Sequence, residues 1–204
     1  MFTVKTFPVG SIATNCSLVY IDDEKLLLVI DPGADAAEII AAAKSFPFET
    51  ARILLTHAHV DHISACGEVA QALNVAKVEV APADAEMYAS PENCLFPYFP
   101  PAKDLPPAAD FAPLPCGKVL NLPGHTMGGS GFLFDDGKKQ ILIAGDTIFC
   151  GSIGRTDLPG GDYETLINSI KNEILTLPDE VEIISGHGGS TTVGFERKNN
   201  PYLN

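Results

Sequence analysis

The sequence predicts an α/β fold in which two mixed β-sheets lie face to face with helices on their outer sides. Three observations carry that expectation. Strands come in clusters with helices between them, the second half repeats the plan of the first, and histidines stand where apolar runs end.

Taken in order, Phe2–Pro8, Cys16–Ile21 and Lys25–Ile30 read as a β-meander with a turn at Asp22-Asp23. Asp35, with Glu38 three residues on, has the capping-box pattern and predicts a helix over Ala36–Lys44. Arg52–Leu55 is a short buried strand that runs straight into a histidine cluster. Beyond it Ile63, Cys66, Val69, Ala70 and Leu73 recur at helical spacing. Lys77–Val80 reads as a strand and Ala83–Tyr88 as a short helix. Ser90–Gly117 holds eight of the sixteen prolines together with Phe96, Tyr98, Phe99 and Phe111. That composition predicts a long irregular excursion, either a surface loop held down by its rings or a wall of a substrate cleft.

Strands follow at Lys118–Leu122, Ser130–Phe134 and Gln140–Ala144. Tyr163, Leu166, Ile167, Ile170 and Ile174 then mark an amphipathic helix, capped by Asp162 and stopped by Pro178. Val181–Ile184 is the last predicted strand. The length fits a single domain over residues 1–204.

Charge narrows the partners. Thirteen basic against 26 acidic residues leave a net charge of −13. Such a surface repels a phosphate backbone and argues against nucleic acid. Met1–Val19 lacks the apolar core of a secretory signal, and the longest aliphatic run, Leu26–Ile30, is too short for a membrane span. The expectation is a cytoplasmic protein with no membrane partner; oligomeric state leaves no trace in the sequence. Its five cysteines, Cys16, Cys66, Cys94, Cys116 and Cys150, are scattered without a CxxC pair and read as reduced thiols, mostly buried. Cys150 is the one placed to be reactive.

All five histidines fall into one pattern. Three lie in Thr56-His57-Ala58-His59-Val60-Asp61-His62, and two stand in Gly124-His125-Thr126 and Gly186-His187-Gly188. His57 and His59, two apart at a strand end, face the same way and can reach one ion. Asp61 and His62 follow and can address a second. Imidazole beside carboxylate suits zinc, iron or manganese. Asp146, in Ala144-Gly145-Asp146-Thr147 at another strand end, can offer one oxygen to each of two cations. Alone it would read as a turn aspartate.

At these residues the chain resembles the metallo-β-lactamase superfamily, whose signature is T-H-x-H-x-D-H. The resemblance runs from Asp31-Pro32-Gly33 to Gly186-His187-Gly188. It is strongest to the short bacterial glyoxalase II-like (hydroxyacylglutathione hydrolase) branch. Thr14-Asn15-Cys16, Leu122-Pro123-Gly124-His125-Thr126, Gly145-Asp146-Thr147, Gly151-Ser152-Ile153-Gly154-Arg155-Thr156-Asp157 and Asn200-Pro201-Tyr202-Leu203 carry it.

The resemblance implies a four-layer αββα sandwich and two divalent metals, zinc foremost with iron or manganese open. His57, His59 and His125 would hold one metal and Asp61, His62 and His187 the other, with Asp146 bridging. Asp31 would stand behind them and orient a ligand imidazole. The implied activity is hydrolysis of an anionic thioester such as S-lactoylglutathione by a metal-bridging hydroxide, with Asp61 a candidate proton acceptor or relay. Rival readings are a mononuclear-iron glutathione persulfide dioxygenase, another hydrolase of the same fold, and a metal-binding protein without turnover.

Longer glyoxalase II enzymes carry a C-terminal helical domain that supplies basic residues to glutathione. No such domain is expected here, so local cations are the candidates for the substrate anion: Arg155, Lys138, Lys139, Arg197 and Lys198. Lys138-Lys139 also fits a solvated hairpin turn after Asp136-Gly137, and Arg155 fits a pair with a structural carboxylate.

Overall fold

In a computed structural model of the chain, residues 1–93 and 99–203 are described. Cys94, Phe96 and Tyr98 lie outside them. The first sheet follows chain order: β1 (Phe2–Val9), β2 (Thr14–Ile21), β3 (Leu26–Ile30), β4 (Thr50–Leu54), β5 (Val78–Glu79) and β6 (Ala108–Ala109). Its first three strands pair antiparallel and the rest parallel. Helices α1 (Ala36–Ala43), α2 (Val60–Ile63), α3 (Cys66–Leu73) and α4 (Ala85–Ala89) fall between its strands.

The second sheet contains β7 (Gly117–Asn121), β8 (Ser130–Asp135) and β9 (Gln140–Gly145), then β12 (Glu182–Ser185) and β13 (Thr191–Thr192). The spatial order is β13-β12-β9-β8-β7. β7, β8 and β9 form an antiparallel meander, and β12 joins β9 in parallel. A two-residue hairpin, β10 (Ile148–Phe149) and β11 (Ser152–Ile153), stands apart, and α5 (Tyr163–Ser169) and α6 (Val193–Asn199) complete the chain.

The period-two alternation of strands explains the layering. In β3, Leu27 and Val29 pack with Ile39 of α1 and Val69 of α3, while Leu26, Leu28 and Ile30 face the other sheet. There they meet Phe132 and Phe134 of β8 and Ile141 and Ile143 of β9. In turn Leu142 and Ala144 of β9 point outward to Leu166 and Ile167 of α5. A strand buried on both faces must be continuously apolar, and Leu26–Ile30 is.

Several expectations are corrected. Asp35 does not cap α1: it sits at φ 50°, its side chain makes no cap bond, and its carboxylate instead accepts from Gly10 N at 2.7 Å. A capping box needs extended backbone at the cap, which this left-handed residue lacks. The helix starting at Tyr163 widens after Ser169 into a π-turn, with Leu175 N donating to the Ile170 carbonyl. Within its described residues the proline-rich stretch is the largely irregular excursion expected, held down by packing. It supplies β6, and Phe111 packs edge-on against Phe132 at 5.4 Å. Arg52, paired with Glu79, donates to the carbonyls of Ala112 and Pro113. Of the four described cysteines, Cys16 and Cys66 are buried, whereas Cys116 and Cys150 are exposed. Among the described residues no helix is long and apolar enough to cross a membrane.

Candidate metal centre

The candidate ligands lie in the connections that follow strands, His125 in the one after β7. β4 delivers His57 and His59, α2 carries Asp61 and His62, β9 delivers Asp146, and β12 delivers His187. Gly145, at φ 53°, turns the chain so that Asp146 leaves the strand. Gly186 permits a close approach to a ligand side chain: a Cβ there would lie 2.0 Å from Asp146 Oδ1.

The expected groups come together. His57, His59 and His125 bring ligand atoms within 4.8 Å of one another, as do Asp61, His62 and His187, and also His57, His62 and Asp146. Asp146 lies between the first two groups. Its Oδ1 is 3.4 Å from His62 Nε2, and its Oδ2 is 3.6 Å from His125 Nε2 and 3.7 Å from His187 Nε2.

Neighbouring groups fix which nitrogen each ring presents. Thr56 Oγ1 donates to Asp31 Oδ2 at 2.6 Å, so toward His57 Nδ1 it is an acceptor, which leaves Nε2 of His57 bare. His62 Nδ1 donates to the same Asp31 oxygen at 2.9 Å. His125 Nδ1 donates to the Arg155 carbonyl at 2.7 Å, and His187 Nδ1 to the Ile12 carbonyl at 3.1 Å. His59 instead turns Nδ1 to His125 Nε2 at 3.0 Å, a contact that needs a shared proton or cation.

The chemistry of these donors fits a cation. His57 Nε2, His62 Nε2 and Asp146 Oδ1 are buried without a hydrogen-bond partner, and they belong to one cluster. Orphaned buried polar atoms are costly, and three converging on one space fit a metal ion. Burial and neighbouring charges also shift the protonation of these groups, in opposite directions. Burial, with His62 and the other imidazoles nearby, drives His57 well below the usual histidine range. Burial and His125 lower His59 to about 4. Burial also opposes the charged forms of His62 and His187, yet the surrounding carboxylates, Asp61 and Asp146 on both and Asp31 on His62, raise both. The same contacts hold Asp61 and Asp146 below the carboxylate range despite burial.

Two residues went unremarked in the sequence. Thr56 transmits Asp31 to His57, and it was visible only as the first letter of the motif. Asp84, buried before α4, ties the two ligand loops together. Its Oδ2 accepts from Ala58 N (3.2 Å) and Thr126 Oγ1 (2.8 Å), and its Oδ1 from Gly128 N (2.6 Å). Burial raises its pKa against these bonds. An aspartate before a short helix gave no sign of that span.

The candidate substrate cations lie elsewhere. Arg155 forms a bidentate, exposed pair with Asp157 at 2.7 and 2.8 Å. Lys138 and Lys139 occupy the β8–β9 turn, where Lys139 Nζ sits 4.7 Å from the Phe2 ring centre. Arg197 donates to the carbonyls of Leu175 and Leu177 and pairs with Asp179, which Lys198 also approaches at 3.9 Å.

Two face-to-face sheets that pool five histidines and two aspartates at one edge define a metal-dependent hydrolase. The chain belongs to the metallo-β-lactamase superfamily, whose family model matches residues 9–187. It is 37% identical to hydroxyacylglutathione hydrolase GloC of Haemophilus influenzae, covering 98% of each protein. Among solved structures it is similar to the BLEG-1 B3 metallo-β-lactamase (TM-score 0.85, 34% identity, 98% of this chain and 99% of that one). It is also similar to TTHA1623 in a di-iron-bound form (TM-score 0.82, 33% identity, 98% and 100%).

Proposed function

We propose that the protein hydrolyses a small thioester such as S-lactoylglutathione, using two divalent cations held by His57, His59 and His125 on one side and Asp61, His62 and His187 on the other. Asp146 serves both. The observation that carries the reading is the convergence of seven ligand side chains around buried atoms with no other partner. The similarity to a hydroxyacylglutathione hydrolase supports the thioester. Zinc is the first candidate, and the di-iron form of a similar structure keeps iron in view.

Bound there, the cations would acidify a water and polarise the thioester carbonyl. The chain's own residues do the rest. Asp31 and Thr56 hold His57 and His62 in the tautomer that presents Nε2. Thr14 Oγ1 donates to Asp61 Oδ2 at 3.1 Å and fixes that carboxylate. Asp61, kept below the usual carboxylate range, is suited to relaying a proton rather than retaining it. A thiolate leaves without a strong acid, and every histidine is committed to the cluster, so no nucleophilic side chain is activated.

Metal content of protein purified without added metal, with S-lactoylglutathione hydrolysis assayed on the same sample, tests this. About two metals per chain with hydrolysis supports it. One iron per chain, no hydrolysis, and oxygen uptake with glutathione persulfide overturns it in favour of a dioxygenase.

A further inference from the structure

A cleft of about 390 Å³ opens beside His59, at one side of the ligand cluster. Its walls are Met87, Met127, Leu158 and Pro159, with Asp84 and Glu86 as the acidic contributions. Asp84 is occupied by its three hydrogen bonds, so Glu86, exposed on α4, is the carboxylate that faces an incoming ligand. No lysine or arginine lines the cleft among the described residues. The nearest arginine in sequence, Arg155, is neutralised by Asp157.

Apolar side chains also stand near the ligands, one in the cleft and two beside His187. Met127, two residues past His125, is 65% exposed, and Ile12, whose carbonyl holds His187, is 40% exposed. Phe149 stands 6.4 Å from the His187 ring. Thioether side chains adapt to ligands of varied shape. A net charge of −13 adds a long-range penalty for polyanions.

Resting on the thioesterase reading above, we propose that the cleft holds an uncharged, apolar arm of the thioester and selects against thiols that carry several carboxylates. The reaction is unchanged: water adds to the carbonyl, the C–S bond breaks, and acid and thiol are released. What changes is the class of thiol and acyl group that the site accepts.

The test compares two thioesters of the same lactoyl group, one on glutathione and one on N-acetylcysteamine, with metal-loaded protein. The uncharged thioester is expected to show about tenfold higher kcat/KM. Glu86→Lys should raise the ratio of kcat/KM for the glutathione thioester to that for the uncharged one roughly threefold to tenfold at low salt. Met127→Ala should lower kcat/KM for the uncharged thioester. A wild-type preference for glutathione that Glu86→Lys does not alter overturns the proposal. Binding of uncleavable S-hexyl thioethers of the same two thiols judges the cleft apart from turnover. If neither thioester is hydrolysed the thioesterase reading falls, and tighter binding of the N-acetylcysteamine thioether still supports the cleft, whereas tighter binding of S-hexylglutathione sinks it.

Discussion

The two sheets solve one problem twice and end differently. Each is a three-strand antiparallel meander followed, after a helical crossover, by a parallel fourth strand: β1-β2-β3-β4 and β7-β8-β9-β12. In each, an aspartate follows the third strand and histidine follows the fourth. Asp31 succeeds β3 as Asp146 succeeds β9, and His57 and His59 follow β4 as His187 follows β12. Yet Asp31 is 1% exposed and its carboxylate is saturated by Thr56 N, Thr56 Oγ1 and His62 Nδ1. Asp146 Oδ1 has no hydrogen-bond partner. Equivalent backbone positions therefore yield an anchor in one half and a ligand candidate in the other, and what separates them is the donors the first sheet supplies.

That contrast predicts unequal effects. Asp146→Asn should cost the most, lowering hydrolysis about a thousandfold and reducing bound metal, since a Lewis-acid contribution of several kcal/mol depends on it. Metal analysis alongside kcat decides; full metal with a small rate loss would break the contrast. Asp31→Asn should weaken metal affinity about 10–100-fold while leaving much of kcat at saturating metal, because it acts through His57 and His62. A titration of rate against metal concentration separates the two variants.

The pH dependence is smaller and has a definite sign. His62 and His187 are raised above 6.5 in the folded, metal-free protein, so the stability they contribute is full below 6.5 and is lost as pH rises through their folded pKa values. His59, lowered to about 4, contributes oppositely: the metal-free fold gains stability as pH rises from about 4 to 6.5. The site's contribution to stability without metal thus peaks near pH 6.5. Metal must displace the protons on His62 and His187, so its affinity climbs above that pH. Thermal melts with and without metal between pH 5 and 9 should diverge upward; parallel curves would refute the protonation pattern.

Arg197→Ala should matter least to the site. Losing its bonds to the Leu175 and Leu177 carbonyls should cost about 1–2 kcal/mol in denaturant unfolding, with kcat unchanged.

How much of this the sequence disclosed follows from the range of each interaction. The ligand clusters were legible because Thr56–His62 concentrates rare side chains at strand-end spacing. β3 was legible because burial on both faces forces an apolar run. By contrast β6, β10, β11 and β13 are two residues each, too short for any period to register. α6 escaped because its inward face includes Glu196, fully buried and satisfied by Gly151 N, Thr191 Oγ1 and Asn200 Nδ2. A charged residue in a short segment reads as surface until those donors are known. Asp84 was hidden for the same reason, its partners lying 26 to 44 residues away.

The latch between the first hairpin and the last ligand loop bears on how the protein is made. Asn15 Nδ2 donates to the carbonyls of Ser185 and Gly188, Asn15 N to that of Gly186, and Ile12 receives His187. These contacts join positions more than 160 residues apart, so during synthesis the first hairpin, though paired with β3, waits for residues 185–188 before the latch can close. Asp61 and His62 are translated early, but His187, the imidazole that completes their group, is the last of the seven candidate ligands to emerge. The group of Asp61, His62 and His187 therefore cannot assemble until that last segment has emerged.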